Sequence, residues 1–225
     1  SQSSRLDMSE PARMQRAREQ GFDVDTPWFH AGRIDDAFDA EGGELGMHIG
    51  DFSTAARFDN RSARNRLNKY LVRGAFAEVP DLGNFQTPYT YLRHRAETPN
   101  AFDARYADMW SSLDKVARGF PRDAGPAEIE FIKRKWRATV HDAARRNEIS
   151  GWEYINNSEG AGEPSRVVFF GDAVRKTDAA FDPSQSGSSK LMAGMGASPE
   201  AAGAIGGGAA GYALAPDQNG DGVVD

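Results

Sequence analysis

Two short stretches carry the residue types from which a small-molecule cleft is built. Trp28-Phe29-His30-Ala31-Gly32 lies near the start of the chain, and Trp152-Glu153-Tyr154-Ile155-Asn156-Asn157-Ser158-Glu159-Gly160 lies more than a hundred residues later. An imidazole in one aromatic strand and carboxylates around a second are what a cleft assembled from two distant strands leaves in a sequence. The pair points to a nucleotide-binding site. A strand that ends in His30 and runs into Ala31 and Gly32 lets a ligand come close to the backbone. The same residues also fit a half-buried strand-end histidine and solvated acidic side chains in a turn.

Composition narrows the alternatives. The chain has no Cys, which excludes disulfides, thiolate nucleophiles and Cys-ligated zinc. Its four histidines, His30, His48, His94 and His141, show neither HExxH nor HxH spacing, so a metal-centred enzyme is not expected. His141 falls inside a predicted helix, where a structural role fits, and His94 falls in a predicted loop without partners. A net charge of -6 with no long basic run argues against duplex nucleic acid as the main ligand. The basic clusters at 57–73 and 133–146 read as solvated helix faces. Residues 1–20 are polar, with no apolar core of the signal-peptide kind.

The elements that position the candidate residues can be read from caps, breakers and periodicity. Ser9-Glu10-Pro11 starts a helix and Gly21 ends it. Residues 22–27 form an extended lead-in, because the residue before Pro27 avoids helix, and 28–30 form a short strand. Gly42-Gly43 precedes a second strand at 45–49, Asp51 or Ser53 caps a helix over 54–60, and Tyr70-Leu71-Val72 is a third strand. Pro, Gly and Asn across 78–100 predict a loop with only local structure. Tyr106, Trp110, Leu113 and Ala117 place a helix over 104–118, and Ile129, Ile132, Trp136, Val140 and Ala144 place another over 127–147. Strands at 152–155 and 165–170 flank a Gly-Pro turn and form a hairpin. With strands on both sides of a helical middle, the expected fold is a mixed α+β domain with a small, mostly antiparallel sheet.

After Pro183 the composition shifts to Gly, Ala and Ser. Gly203, Gly207 and Gly211 recur every four residues, a helix-packing spacing known from membranes. The stretch 201–215 is too short to span a bilayer, so no transmembrane segment is expected and a flexible tail is. Within that tail, Asp217, Asn219, Asp221 and Asp225 occupy oxygen-ligand positions 1, 3, 5 and 9 of a calcium loop, with Gly222 at 6 and Val224 at 8. The glutamate of position 12 is missing, so calcium binding there is expected to be weak.

An ordered set of motifs resembles a known family. Phe22 to His30 resembles the opening of the ADP-ribosyltransferase-like domains carried on large phage and prophage proteins, which ends in an aromatic followed by His-Gly-Thr. Leu45-Gly46-Met47-His48-Ile49-Gly50-Asp51 resembles the second element, of the type Leu-His-Phe-Gly-Thr. Ile155-Asn156-Asn157-Ser158-Glu159-Gly160 resembles the Tyr-x-Asn-x-x-Glu-Gly turn. Arg166-Val167-Val168-Phe169 through Ala179-Ala180-Phe181-Asp182-Pro183 resembles the closing strand and the Asn-Ala-Ala-Phe-Asp-Pro tail. The likeness covers residues 10–190 in order. Three departures bear on turnover more than on fold: His30-Ala31-Gly32 stands for His-Gly-Thr, Asp51 stands for a Thr, and Phe170-Gly171-Asp172 replaces an Asp-Pro pair.

The resemblance implies a split sheet over residues 22–183, an N-terminal helix at 1–21, a helical insertion at about 101–148 and a tail at 184–225. It also implies NAD as the substrate. Glu159, with Glu153 as second choice, would stabilise the oxocarbenium-like ribose as the nicotinamide leaves. His30, Ala31, Gly32 and His48 would hold the ribose and nicotinamide amide. Phe52, Tyr70 or Tyr154 would stack on the nicotinamide, and Arg57 or Arg61 would meet the pyrophosphate. The acceptor would be a host protein or nucleic acid, with the chain acting in the host cytoplasm or on the virion, as part of a larger phage polypeptide. The rival expectation is a catalytically degenerate binding module of the same fold, whose insertion docks a partner through Trp110, Trp136 and its Arg-rich faces.

Overall fold

The computed structural model describes residues 6–32, 38, 45–59, 66–81, 87–122, 124–157 and 162–193. By internal contact the chain divides into two units, Ser1–Gly194 and Met195–Asp225, and all described residues belong to the first. The calcium-loop residues Asp217, Asn219, Asp221 and Asp225, the Gly/Ala stretch 201–215, Arg61 and Glu159 lie outside the described residues.

The fold is α+β, with five α-helices and a seven-stranded mixed sheet among the described residues. In chain order the elements are α1 (Glu10–Glu19), β1 (Phe22–Gly32), β2 (Met47–Gly50), α2 (Phe52–Asp59), β3 (Arg66–Arg73), β4 (Ala75–Glu78), α3 (Pro88–Glu97), α4 (Ala107–Arg118), α5 (Pro126–Arg146), β5 (Ile149–Asn156), β6 (Glu163–Val168) and β7 (Val174–Lys176). The sheet order is β4-β5-β6-β2-β1-β3-β7. Every pairing is antiparallel except β4 on β5.

Helices cover one face of the sheet. Strand alternation sends Ala77, Trp152, Tyr154 and Val167 to that face, where they join Tyr91, Trp110, Leu113, Trp136 and Val140 from α3, α4 and α5 in one core. Aromatic pairs at 5.0 Å (Tyr91–Trp136), 5.9 Å (Trp110–Trp152) and 5.1 Å (Trp152–Phe169) tie it together. α1 packs nearer the opposite edge, with Ala17 against Phe22, Leu71, Ala179 and Phe181. It is part of the domain rather than a leader to it. On the other face, Trp28, Met47, Ile49, Tyr70, Val72, Val168 and Val174 form a core that Leu191 completes. Lys176 N–H donates to Leu191 C=O at 3.0 Å. The chain therefore packs against the sheet at Leu191 and is buried again at Ala193, nine residues past the expected start of the tail.

Several elements differ from the expectation. The lead-in and short strand are one strand, β1, because a register shift between Asp23 and Trp28 accommodates Pro27, which has no N–H for the ladder. The region 78–100 holds a true helix. Pro88 sits in the first turn of α3 and Thr87 caps it, accepting from Thr90 N–H. His94 is therefore a helix residue, whose carbonyl accepts from Thr98 N–H at 2.9 Å. Trp110 and Trp136 are 2% and 0% exposed, so both are core residues and neither is available to a partner. Among the described residues no helix is long and apolar enough to cross a membrane.

Candidate functional site

Among the described residues the shortest pairing in the sheet is that of β1 with β2. β1 and β2 are joined at a single registered pair, Phe29 with Gly50. Beyond it, His30, Ala31 and Gly32 continue on β3 opposite Asn68, Leu67 and Arg66, while Met47, His48 and Ile49 continue on β6 opposite Val168, Val167 and Arg166. The two halves of the sheet thus diverge at the residues that the family resemblance assigns to a ligand. A ladder that stops between two central strands leaves backbone polar groups needing partners there.

Side chains bridge the seam in place of the ladder. His30 Nδ1 lies 2.6 Å from His48 C=O. A carbonyl only accepts, so Nδ1 carries a proton. His48 Nδ1 in turn lies 3.1 Å from the Tyr154 hydroxyl, with the two rings edge to face at 6.3 Å. Residues from β1, β2 and β5, spread over 125 positions of sequence, therefore form one connected polar path.

A cross-strand row lies beside that path. Register places Tyr154 opposite Ser165, Ser165 opposite Gly50, and Gly50 opposite Phe29. Large side chains stand at both ends and the smallest residues in the middle. Gly50 sits closely against its neighbours: a Cβ there would come within 3.2 Å of Ser165 Oγ and 3.3 Å of Thr54 Cγ2, which would have to shift by a few tenths of an ångström. Its absence lets the start of α2 settle onto the sheet. Ser165 is 2% exposed, and its hydroxyl has no hydrogen-bond partner among the described residues. A buried hydroxyl left in that state costs about 1–3 kcal/mol, so a polar neighbour at this row would be stabilising.

Asp51 starts α2. Its carboxylate accepts from Ser53 N–H at 3.1 Å, Ser53 Oγ at 2.7 Å and Thr54 N–H at 2.9 Å. Partial burial pushes its pKa up, but the hydrogen bonds from Thr54 and Ser53 outweigh it and hold the carboxyl at about 2. Asp51 is thus committed to a helix cap. Phe52 follows, 59% exposed and edge-on to Phe29 at 5.4 Å. Arg57 is exposed on the same helix.

The remaining candidates separate from this group. Tyr70 is 1% exposed, and burial followed by Asp178 raises its phenol to about 12. It sits in the core opposite Trp28 and cannot stack on a ligand. Of the three candidate rings, Phe52 presents itself to solvent and Tyr154 is tied to His48. Glu153 points away from Tyr154 by strand alternation. Its carboxylate is held 2.6 Å from Arg166 Nε, and that guanidinium lies 4.4 Å from the ring centres of both Trp28 and Phe76. This is a packed ion pair, with the carboxylate already engaged. His141 is structural, as its position in a helix suggested: Nε2 donates to Leu45 C=O at 2.5 Å, and burial followed by Arg137 and Arg145 outweighs that bond and lowers its pKa.

Ser165 and Arg166 were not singled out by their residue types. Counting back from the hairpin turn would have found them, since antiparallel pairing puts 165 opposite 154 and 166 opposite 153. Among the described residues no group of three or more His, Asp or Glu side chains is placed to hold a metal ion. No family model matches the chain, and no curated protein or solved structure matches it.

Proposed function

We propose that this chain is an NAD-dependent ADP-ribosyltransferase acting on a host macromolecule, with its substrate cleft at the β1–β2 seam. The observation that carries the reading is the polar path His30–His48–Tyr154. His30 and His48, from two motifs that the resemblance links, meet there with Tyr154, which precedes the third in the chain.

The chemistry sets the requirements of the site. The bond between ribose C1 and the nicotinamide nitrogen breaks, and its electron pair leaves with a neutral nicotinamide. The acceptor's nucleophile bonds to C1 and gives up its proton. Stabilising the cationic ribose between these events needs a carboxylate and a fixed hydrogen-bonding frame. His30 and the adjacent backbone of Ala31 and Gly32 hold the ribose and carboxamide. His48 braces His30 through its carbonyl and Tyr154 through its ring. Phe52, as the exposed ring beside the seam, covers the nicotinamide face. Arg57 on α2 meets the pyrophosphate. Glu159 follows Tyr154 by five residues in the chain. The engaged state of Glu153 leaves Glu159 as the carboxylate for the role. Departures at Ala31 and Asp51 bear on rate, since Ala31 keeps a small side chain and Asp51 serves the helix.

The test is transfer of label from NAD to host lysate by the wild-type chain and by Glu159→Gln. Labelled acceptor with the wild type, reduced by about 100-fold or more in the variant, supports the reading. NAD binding without transfer in either protein would indicate the degenerate module, and neither binding nor transfer would remove the reading altogether.

A further inference from the structure

A second surface, away from the seam, has the shape and charge of a docking groove. α4 and α5 bury Trp110, Leu113, Trp136 and Val140 against the sheet, yet a further apolar stripe runs along their outer side. Val116, Gly119, Phe120, Pro121, Phe131 and Ile132 line a groove of about 570 Å³. Two of its residues, Val116 at 44% and Phe131 at 50%, are among the few large apolar side chains exposed in the described residues. Volumes of about 300–1,000 Å³ are those of pockets that hold a ligand-sized group.

Charge says what fits. Residues 107–146 carry nine Lys and Arg against six Asp and Glu, in a chain of net charge -6. Lys115 and Arg134 each lie one helical turn before a lining residue, Gly119 and Ala138, and Arg118 and Arg122 flank the Gly119-Phe120-Pro121 corner. All four are exposed. No carboxylate among the described residues is within ion-pair distance of any of them. Lys135 lies over the Phe131 ring at 4.7 Å. The acidic lining residue, Glu128, caps the start of α5, accepting from Gly125 N–H at 2.9 Å, and Glu130 is paired with Lys133 at 2.7 Å. Among the described residues the groove thus combines an apolar floor with a predominantly positive border.

We infer that this groove receives an acidic amphipathic helix of a partner protein, its apolar residues on the Val116–Phe131 floor and its carboxylates toward Lys115, Arg118, Arg122 and Arg134. A concave floor between two helices suits a helical segment better than a bilayer surface. The proposal is independent of the ADP-ribosyl transfer reading.

Fluorescence anisotropy on the full chain tests it with two labelled 16-residue helical peptides, sharing one leucine face and bearing either glutamate or lysine opposite. The glutamate peptide should bind at least tenfold more tightly than the lysine peptide, and more weakly as salt rises. Phe131→Asp and Val116→Asp, both at exposed positions and checked by an unchanged thermal transition, should each weaken binding tenfold or more. Equal binding of the two peptides, no binding, or indifference to Phe131→Asp would overturn the proposal. Light scattering that finds a dimer abolished by Phe131→Asp would assign the groove to a second copy instead. Binding to anionic phosphatidylglycerol vesicles that is lost in the same variant, without peptide binding, would assign it to a membrane.

Discussion

The sheet behaves differently at its two ends. Under α3, α4 and α5, strands β4, β5 and β6 are laddered over at least four residue pairs each and meet an aromatic core of Tyr91, Trp110, Trp136, Trp152 and Phe169. At the β1–β2 seam the ladder shrinks to one residue pair, and His30, His48, Tyr154 and Ser165 take over from apolar packing. The tryptophan end supplies stability that the seam gives up. A polar, incompletely paired site can persist in a fold whose folding energy is stored elsewhere.

Breaking the tryptophan end should therefore have the largest effect. Trp136→Ala removes a side chain with no exposure that packs against Tyr91 at 5.0 Å and Phe120 at 6.5 Å. The expected loss is about 3–5 kcal/mol, read from urea denaturation, with any ligand binding at the seam lost only through unfolding. At the seam the expected effects are smaller. Asp51→Ala should cost about 0.5–2 kcal/mol at neutral pH by uncapping α2. Because the Asp51 carboxyl is held at about 2 against an ordinary 3.8, its contribution is present above 3.8 and disappears as pH falls through 2. Wild type and Asp51→Ala should thus converge in stability over that acid window, and a difference that survives below pH 2 would rule out the cap as its cause. Smallest of all, Tyr154→Phe removes only the hydroxyl facing His48. It should cost about 0.5–1.5 kcal/mol in stability, and the His48 ring resonances should shift in NMR spectra while those of His141 stay in place.

The legibility of the sequence follows the same division. The stripes of Leu113 and Trp110 on α4 and of Trp136 and Val140 on α5 declare their helices, since burial repeats every three to four residues. The hairpin of β5 and β6 was equally plain from Gly160 to Pro164 between two apolar runs. What escaped is non-local. β4 has four residues and gains its place only by lying parallel to β5, some seventy positions away. β7 has three, fixed by Tyr70, Leu71 and Val72 opposite. α3 hid because Pro88, read as a breaker, sits where a first helical turn accepts it. At the candidate site, His30 and His48 stood out by type, but the carbonyl that joins them, the partner that occupies Glu153 and the burial of Tyr70 depend on register. No residue type announces those.

The most direct measurement is calorimetric titration of NAD into the wild-type chain and into His30→Ala, with the thermal transition of both recorded. A seam that holds the dinucleotide should give saturable binding by the wild type and at least tenfold weaker binding by a variant that still folds. No heat of binding in the wild type, or equal affinity in the two proteins, would contradict the assignment of the β1–β2 opening as an NAD site.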